Sequence, residues 1–269
     1  MRFWGVRGSI ACSGPRTARY GGNTSSLEVR CDERLLLFDA GTGIRYLGKA
    51  LEGKTLDTDL FFTHTHFDHV CGLPFFRPFF ASGNRFRLWA GHLDARDVTL
   101  KRVLSEFMMS PLFPVPPEIF HAHIDYRDFK SGDTLHPAAG ITLKTAPLNH
   151  PDGATGYRIE YAGKSLCYLT DTEHVPGKPD RNILGLIAGA DLVVYDCMYT
   201  DEEYPRYATW GHSTWEEGVR LCREAGAKRL VVFHHDPEHD DDMLDGIARE
   251  VEKALPGSVV AREGLVLKP

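Results

Sequence analysis

The sequence lacks the features that would place the chain in a membrane or outside the cell. It has no run of about 18 apolar residues, so no transmembrane helix is expected. Its first seven residues contain no long apolar stretch of the kind that a secretory signal needs. No Cys-x-x-Cys pair occurs, and the six cysteines stand singly, several of them within apolar runs. We therefore expect reduced, buried thiols in a cytoplasmic protein without a membrane partner.

The sequence also lacks an excess of positive charge, low-complexity segments and evident linkers. The formal net charge of −6 argues against nucleic acid as a partner, because a broad basic face is what attracts a polyanion. It leaves room for a local basic pocket. With 42% hydrophobic and 25% charged residues, the composition is that of a folded globular protein. We predict one domain that spans residues 1–269.

What is present is an alternation of short apolar strands and helical segments. Apolar runs bounded by turns predict strands at residues 3–9, 27–30, 35–38, 59–63, 85–90, 141–145, 157–161, 165–170, 192–195 and 229–233. Helices are predicted at residues 44–52, 93–111, 182–188, 214–225 and 241–254. The proline-rich residues 110–117 exclude regular structure and predict a packed irregular connection, a lid or a partner contact.

The most informative segment follows one of these strands. Residues 63–69 read Thr-His-Thr-His-Phe-Asp-His. His64 and His66 are two positions apart, so on an extended backbone both imidazoles face the same side, and Asp68 and His69 then follow at a turn. Neutral imidazole and carboxylate suit zinc and similar divalent ions, and catalytic sites favour them over a cage of cysteines. The segment predicts a catalytic metal site.

Other strands end in residues of the same ligand types. His150, Asp171 and His234 each follow a predicted strand at its carboxyl end. His234 is preferred to the adjacent His235 because it directly ends the apolar run, and neighbours on an extended chain point apart. Asp39 ends another strand, where it either orients a metal-binding histidine or caps a turn.

This ordered set resembles the metallo-β-lactamase fold superfamily of hydrolases. The resemblance implies an α/β fold, a four-layer αββα sandwich of two similar ββα halves. It also implies two divalent metal ions, zinc first, with manganese and iron as alternatives. The implied ligands are His64, His66 and His150 for the first metal, Asp68, His69 and His234 for the second, and Asp171 as the bridge.

Two departures from other members narrow the resemblance. Oxygen-reducing diiron relatives carry an acidic residue where this chain has His66. Lactamases proper lack the Asp171 bridge and usually use a cysteine. A hydrolytic metal pair therefore fits this chain better than either alternative.

Three further segments look like the ribonuclease Z and phosphoribosyl cyclic phosphodiesterase branch. They are Phe-Trp-Gly-Val-Arg-Gly-Ser at 3–9, Gly-Gly-Asn-Thr-Ser at 21–25 and Trp-Gly-His-Ser-Thr at 210–214. In that branch a histidine at the place of His212 contacts the scissile phosphate; alternatively, His212 belongs to a helix cap. The resemblance implies a dinuclear metal-dependent phosphodiesterase acting on a small or cyclic phosphodiester, of the cyclic nucleotide or phosphoribosyl cyclic phosphate type. Asp68 would orient the attacking water, and His212 would stabilise a phosphate oxygen or protonate the leaving alkoxide.

Three alternatives remain beside this expectation. The first is an endoribonuclease of the ribonuclease Z type, which holds tRNA with a long arm usually inserted between the positions equivalent to His150 and Asp171. Here only 20 residues separate those positions, and they form a hairpin-like pair, which favours a small-molecule substrate. The second is a thioester or lactone hydrolase. The third is a non-catalytic metal-binding regulatory module, against which the intact ligand set argues. The sequence leaves a homodimer open.

Overall fold

The computed structural model describes residues 1–269, with only the side chain of residue 95 left aside. Within this described chain, thirteen strands form two sheets. The strands are β1 (Arg2–Gly5), β2 (Ser26–Cys31), β3 (Arg34–Phe38), β4 (Asp57–Phe62), β5 (Arg85–Ala90), β6 (His123–Asp128), β7 (Thr134–Ala138), β8 (Ile141–Leu148), β9 (Ala154–Tyr161), β10 (Lys164–Leu169), β11 (Leu192–Asp196), β12 (Leu230–Phe233) and β13 (Val259–Val260). The first sheet has the order β1-β2-β3-β4-β5-β6, and the second has the order β13-β12-β11-β10-β9-β8-β7.

Helices connect the strands in both halves of the chain. They are α1 (Ile44–Ala50), α2 (Phe67–Val70), α3 (Leu100–Phe107), α4 (Arg181–Ile187), α5 (Tyr204–Tyr207), α6 (Trp215–Ala225) and α7 (Asp241–Ala254). The longer ones begin at side chains that accept a hydrogen bond from the first turn. Thr214 accepts one from the Glu217 amide at α6, and Asp240 accepts one from the Met243 amide at α7.

The central strands are apolar on both faces because both faces are buried. In β3, Leu35 and Leu37 pack into an outer cluster with α1 and α3, whereas Leu36 and Phe38 pack between the two sheets. The second sheet shares this inner cluster and packs its other face against α4, α6 and α7. The layers therefore run helices, sheet, sheet, helices, and the predicted αββα sandwich is confirmed.

Parallel pairing gathers the carboxyl ends of the strands at one edge. β3 to β6 are parallel neighbours in the first sheet, as are β10 to β13 in the second. In open α/β sheets this edge is where ligands bind, because the chain leaves the sheet there and its side chains can converge.

Two predictions about individual elements are wrong. The strand predicted at residues 3–9 is shorter, since β1 ends at Gly5. The predicted helix 93–111 is shorter, since a 3-10 turn at Asp94–Arg96 ends with Asp97 in a left-handed conformation (φ 51°) and α3 begins only after Thr99. Strands β6, β7 and β13 were not predicted. The proline-rich segment is an irregular connection, as expected, and packs Phe113 against Phe75. Within the described chain, no helix combines the length and the apolar character that a bilayer crossing requires.

Candidate metal centre

The site forms where the carboxyl ends of the two sheets meet. Asp39 and His234 directly follow a strand, and Asp171 lies two residues after the end of β10; each has a left-handed backbone, with φ of 56° for Asp39, 61° for Asp171 and 62° for His234. This conformation is uncommon for residues other than glycine and is characteristic of functional sites, where the surrounding fold enforces it. It turns the chain sharply at the end of the strand. Three of the nine non-glycine residues with positive φ in the described chain are thus residues that the sequence singles out.

Three histidines form the first cluster of donors. The ligand-type nitrogens of His64, His66 and His150 lie within 4.8 Å of one another. His150 Nδ1 lies 2.8 Å from the Gly211 carbonyl oxygen and donates to it. That contact leaves the Nε2 lone pair of His150 directed at His66 Nδ1, 3.0 Å away. The carbonyl therefore fixes the tautomer that a metal ligand needs.

Four residues form the second cluster: Asp68, His69, Asp171 and His234. His69 Nε2 lies 3.2 Å from Asp68 Oδ2 and 3.1 Å from Asp171 Oδ2, and His234 Nε2 lies 3.3 Å from each of the same two oxygens. The backbone N–H of Ser9 also donates to Asp68 Oδ2, at 2.9 Å.

Asp171 joins the two clusters. Its Oδ1 lies 3.7 Å from the Nε2 atoms of both His64 and His150, while its Oδ2 faces His69 and His234. One carboxylate oxygen thus faces each cluster.

The protonation of these groups fits cation binding. Burial lowers the pKa of His64 and of His150, so both rings are neutral, as metal ligands must be. Burial alone would lower the pKa of His69 too, but Asp68, Asp171 and Asp39 outweigh it and raise that pKa well above its usual value. Carboxylates that stabilise a proton at this position would equally stabilise a metal cation there.

An unpartnered nitrogen tests whether divalent metal ions fit these residues. Among the described side chains, the buried His64 Nε2 has no hydrogen-bond partner, and Asp171 Oδ1 lies 3.7 Å from it. A buried polar atom without a partner is costly, and a metal ion held by this histidine would remove that cost. The donors are imidazole nitrogens and carboxylate oxygens, a set that zinc, manganese and iron accept. The residues present therefore fit the ions.

Asp39 supports the second cluster from behind. Its Oδ2 lies 3.0 Å from His69 Nδ1 and accepts a hydrogen bond from the Tyr168 hydroxyl at 2.8 Å. The backbone N–H of Thr63 donates to Asp39 Oδ1, also at 2.8 Å. Of the two roles open for Asp39, the geometry matches the orientation of a histidine. Thr63 and Tyr168 were not identified from the sequence.

His212 lies beside both clusters and has its own carboxylate. Its ring is stacked on His234, with centroids 5.1 Å apart, and its Nδ1 lies 2.8 Å from Asp196 Oδ2. Thr214, not His212, caps α6. Asp196 was not identified from the sequence. It ends the apolar strand β11, and Asp39 and Asp171 follow strands in a similar way. A carboxylate at the carboxyl end of an apolar strand is therefore the signal that could have identified it.

The buried histidines His92, His174 and His235 belong to neither cluster. His235 Nε2 lies 2.8 Å from the Ala261 carbonyl oxygen, so its ring points away from the one of His234. His92 and His174 lie in loops but are buried. His92 Nε2 contacts the Thr65 hydroxyl at 3.1 Å, and burial lowers the pKa of His92 to about 3.

The glycine at position 8 lets the amino-terminal segment reach the centre. A Cβ atom on Gly8 would lie 2.6 Å from the His234 ring, closer than real Cβ contacts allow. The next residue is Ser9, whose amide reaches Asp68. The segment at 3–9 therefore contributes a backbone donor to the site.

Comparison with known proteins extends these observations. A family model described as "Beta-lactamase superfamily domain" matches residues 34–235. Ribonuclease Z of Myxococcus xanthus (strain DK1622) is 27% identical to this chain over an alignment of 293 residues. The alignment covers 91% of this chain and 92% of the relative. Since that alignment is longer than this chain of 269 residues, the relative contains segments that this chain lacks.

Solved structures show the same fold over the whole chain. The metallo-β-lactamase fold protein YhfI from Bacillus subtilis has a TM-score of 0.74 at 18% identity, and covers 100% of this chain and 98% of its own. A structure described as a new diphosphatase from the PhnP family has a TM-score of 0.72 at 22% identity, and covers 100% of this chain and 96% of its own.

Proposed function

This chain belongs to the metallo-β-lactamase superfamily of metal-dependent hydrolases, and we propose that it is a dinuclear phosphodiesterase that hydrolyses small or cyclic phosphodiesters. The observation that carries the proposal is the position of Asp171 between the two donor clusters, with the His212–Asp196 pair beside them. One carboxylate oxygen facing each cluster suits a bridge between two ions. The proposal takes residues 1–269 as one domain; a cytoplasmic location and a homodimer remain predictions.

The proposal divides the candidate ligands between two ions. In the proposal, His64, His66 and His150 hold one ion, Asp68, His69 and His234 hold the other, and Asp171 contacts both. Two divalent ions, zinc first with manganese or iron as alternatives, would supply Lewis acidity and lower the pKa of water.

The chain's own groups then orient the reactants. Asp68 Oδ2 accepts the Ser9 N–H, so its carboxylate is fixed, and it orients the attacking water by accepting a hydrogen bond. His212 is held through Nδ1 by Asp196, which leaves Nε2 to face the substrate. From there it donates a hydrogen bond to a phosphate oxygen or a proton to the leaving alkoxide.

The segment between His150 and Asp171 supports a small substrate. β9 and β10 pair there as an antiparallel hairpin, with Tyr161 opposite Lys164 and only two residues in the turn. This segment therefore has no room for an RNA-binding arm.

A second candidate function is an endoribonuclease of the ribonuclease Z type. The curated relatives favour it, because the first of them are named Ribonuclease Z and align over nearly the whole chain. The expectation from net charge that nucleic acid is not a partner is therefore not supported. Either activity requires the same two clusters, so the substrate has to be determined by experiment.

The test is a substrate panel with the metal-reconstituted protein. It contains 2′,3′- and 3′,5′-cyclic nucleotides, an aryl phosphodiester, precursor tRNA, a thioester and a lactone. We expect the highest kcat/KM for a cyclic phosphodiester, and loss of that activity when a chelator is added. A preference for precursor tRNA would instead assign the ribonuclease function, and turnover of only the thioester or lactone would exclude both.

A further inference from the structure

An exposed tryptophan lies one residue from a contact with the metal centre. Trp210 is 63% exposed, and the next residue, Gly211, contacts His150 through its carbonyl oxygen. Gly211 has φ of 88°, and a Cβ atom there would lie 2.5 Å from His150 Nδ1, so only glycine allows this approach. The indole is therefore at the rim of the candidate site.

The Trp210 side chain is supported although it is exposed. Its ring packs edge-on against Tyr207, with centroids 5.5 Å apart. Tyr207 in turn lies parallel to the buried Tyr199, at 4.5 Å and 8°. Tyr199 contacts the His212 ring at 6.2 Å, so aromatic rings run from His212 out to Trp210.

The backbone on both sides of Trp210 is also held. The amides of Thr209 and Gly211 donate to the two carboxylate oxygens of Glu173, at 2.8 and 2.7 Å. Glu173 lies two residues after Asp171, so the same loop supports the metal centre and this rim. A fixed aromatic ring with an open face has little ordering entropy left to lose when a ligand binds.

A second exposed aromatic residue lies next to candidate ligands in the sequence. Phe67 stands between His66 and Asp68 and is 63% exposed, with its ring edge-on to Phe107 at 6.4 Å. His66 and His150 are themselves in contact. Exposed aromatic residues are therefore sequence neighbours of His66 and of the glycine that contacts His150. Ligand pockets are characteristically lined by aromatic side chains.

We propose that Trp210 determines substrate specificity by stacking against a planar aromatic group of the substrate, a nucleobase, while the adjoining centre holds the phosphodiester. This inference rests on the proposed phosphodiesterase function and refines it: among cyclic phosphodiesters, those with a nucleobase bind better than those with ribose alone. Stacking of a base on an aromatic side chain tolerates any base, because every base has a π-face.

The test compares two substrates that differ only in the base. Steady-state rates are measured on 2′,3′-cyclic AMP and on the base-free methyl ribofuranoside 2,3-cyclic phosphate. We expect Trp210→Ala to raise KM for cyclic AMP by roughly 10-fold or more, with kcat within about threefold, and to leave the base-free substrate unchanged. Trp210→Phe should keep most of the affinity. Tyr46→Ala, which removes an exposed aromatic ring on α1, is the matched control and should change neither substrate.

A binding measurement keeps this test independent of turnover. Adenosine 3′-monophosphate should quench the tryptophan fluorescence of the wild type, whereas ribose 5-phosphate should not. In Trp210→Phe the quenching should disappear while calorimetry still detects the nucleotide. If the wild type cleaves neither phosphodiester, the proposed function fails, but the quenching still decides the role of Trp210.

Several results would overturn the stacking role. An equal loss on both substrates would mean that Trp210 only positions the loop before His212. Unchanged kinetics together with unchanged quenching would mean that the base lies elsewhere. A change in native mass for Trp210→Ala would assign the indole to a contact between subunits.

Discussion

His212 Nδ1 donates a hydrogen bond to Asp196 Oδ2 over 2.8 Å, and the same carboxylate oxygen accepts the backbone N–H of Asp171 at 2.9 Å. One buried carboxylate thus links the orientation of His212 to the backbone of the residue between the two donor clusters. Burial would lower the pKa of His212, but Asp196 and the neighbouring carboxylates outweigh this and raise it to about 9. Asp196 therefore favours both the orientation and the protonated form of the imidazole.

Replacing Asp196 by Asn should slow catalysis without removing metal. The amide keeps the shape and one acceptor, but it loses the charge that stabilises protonated His212. Because Asp196 acts through the imidazole, we expect the fall in kcat to approach but not exceed the loss on removing His212 itself, which is about 100-fold or more. The double variant with His212→Ala should be no slower than His212→Ala alone, since the two residues act as one unit. Multiplied losses in the double variant would show that they act separately.

Removing the His212 imidazole tests its role directly. His212→Ala should lower kcat by about 100-fold or more and leave the metal content unchanged, as expected for a lost proton or hydrogen-bond donor. Thr214→Ala is the matched control, because it removes the cap of α6 and should cost about 1 kcal/mol of stability with little effect on kcat. Loss of metal from His212→Ala would place His212 among the ligands, and loss of stability alone would make it structural.

The parts of the fold that the sequence predicted are those with a strong local signal. β12 and all but the first residue of β3 are continuous apolar runs because they are buried on both faces. The unpredicted β6, β7 and β13 are all edge strands. Edge strands need no apolar run, and β7 even contains Pro137, which an interior strand would exclude.

The same distinction applies to the site. His64, His66, Asp68 and His69 could be grouped because they are close in sequence. The contacts of Asp39 with Tyr168 and of Glu173 with Gly211 span 129 and 38 residues, and only the packing of the two sheets and their loops creates them. No local pattern carries that information.

Asp39 orients His69 of the second cluster through a contact of 3.0 Å between Asp39 Oδ2 and His69 Nδ1. Asp39→Asn should weaken metal binding at that cluster by roughly 10- to 100-fold, because the amide orients His69 less well and lowers its basicity. Competition with a chromogenic chelator measures this change. Tyr168→Phe removes one donor to Asp39 and keeps the carboxylate, so its effect should be smaller. Equal affinity for Asp39→Asn and the wild type would leave Asp39 as a turn residue only.

Glu216 provides a pH-dependent prediction away from the metal centre. Burial and the nearby Asp201 raise the pKa of Glu216 to about 7. In the unfolded chain a Glu titrates near 4.3, so between these values the folded state binds more protons and stability falls as pH rises.

Glu216→Gln removes this titration and can still accept the Asp201 N–H. The variant should be more stable than the wild type at pH 8, by on the order of 2 kcal/mol, with a much smaller difference at pH 5. Denaturant unfolding of both proteins at each pH measures this. Glu224→Gln, on the exposed face of α6, is the control. An equal difference at both pH values would contradict the raised pKa.

Metal stoichiometry tests the assignment on which the other site predictions depend. Seven donor residues exceed what one tetrahedral site can use, and they divide into two clusters around Asp171. We expect elemental analysis to give close to two transition-metal ions per chain, and chelation to remove activity that added zinc or manganese restores.

Asp171→Ala should lower the metal occupancy of both clusters, because it removes one carboxylate oxygen from each. Asp191→Asn is the matched control: Asp191 is also buried, but it contacts Ser165 and Lys228 at the amino ends of β10 and β11, opposite the carboxyl ends that form the centre, so two ions should remain. Full activity with at most one ion per chain would exclude a dinuclear site, and with it the bridging role of Asp171.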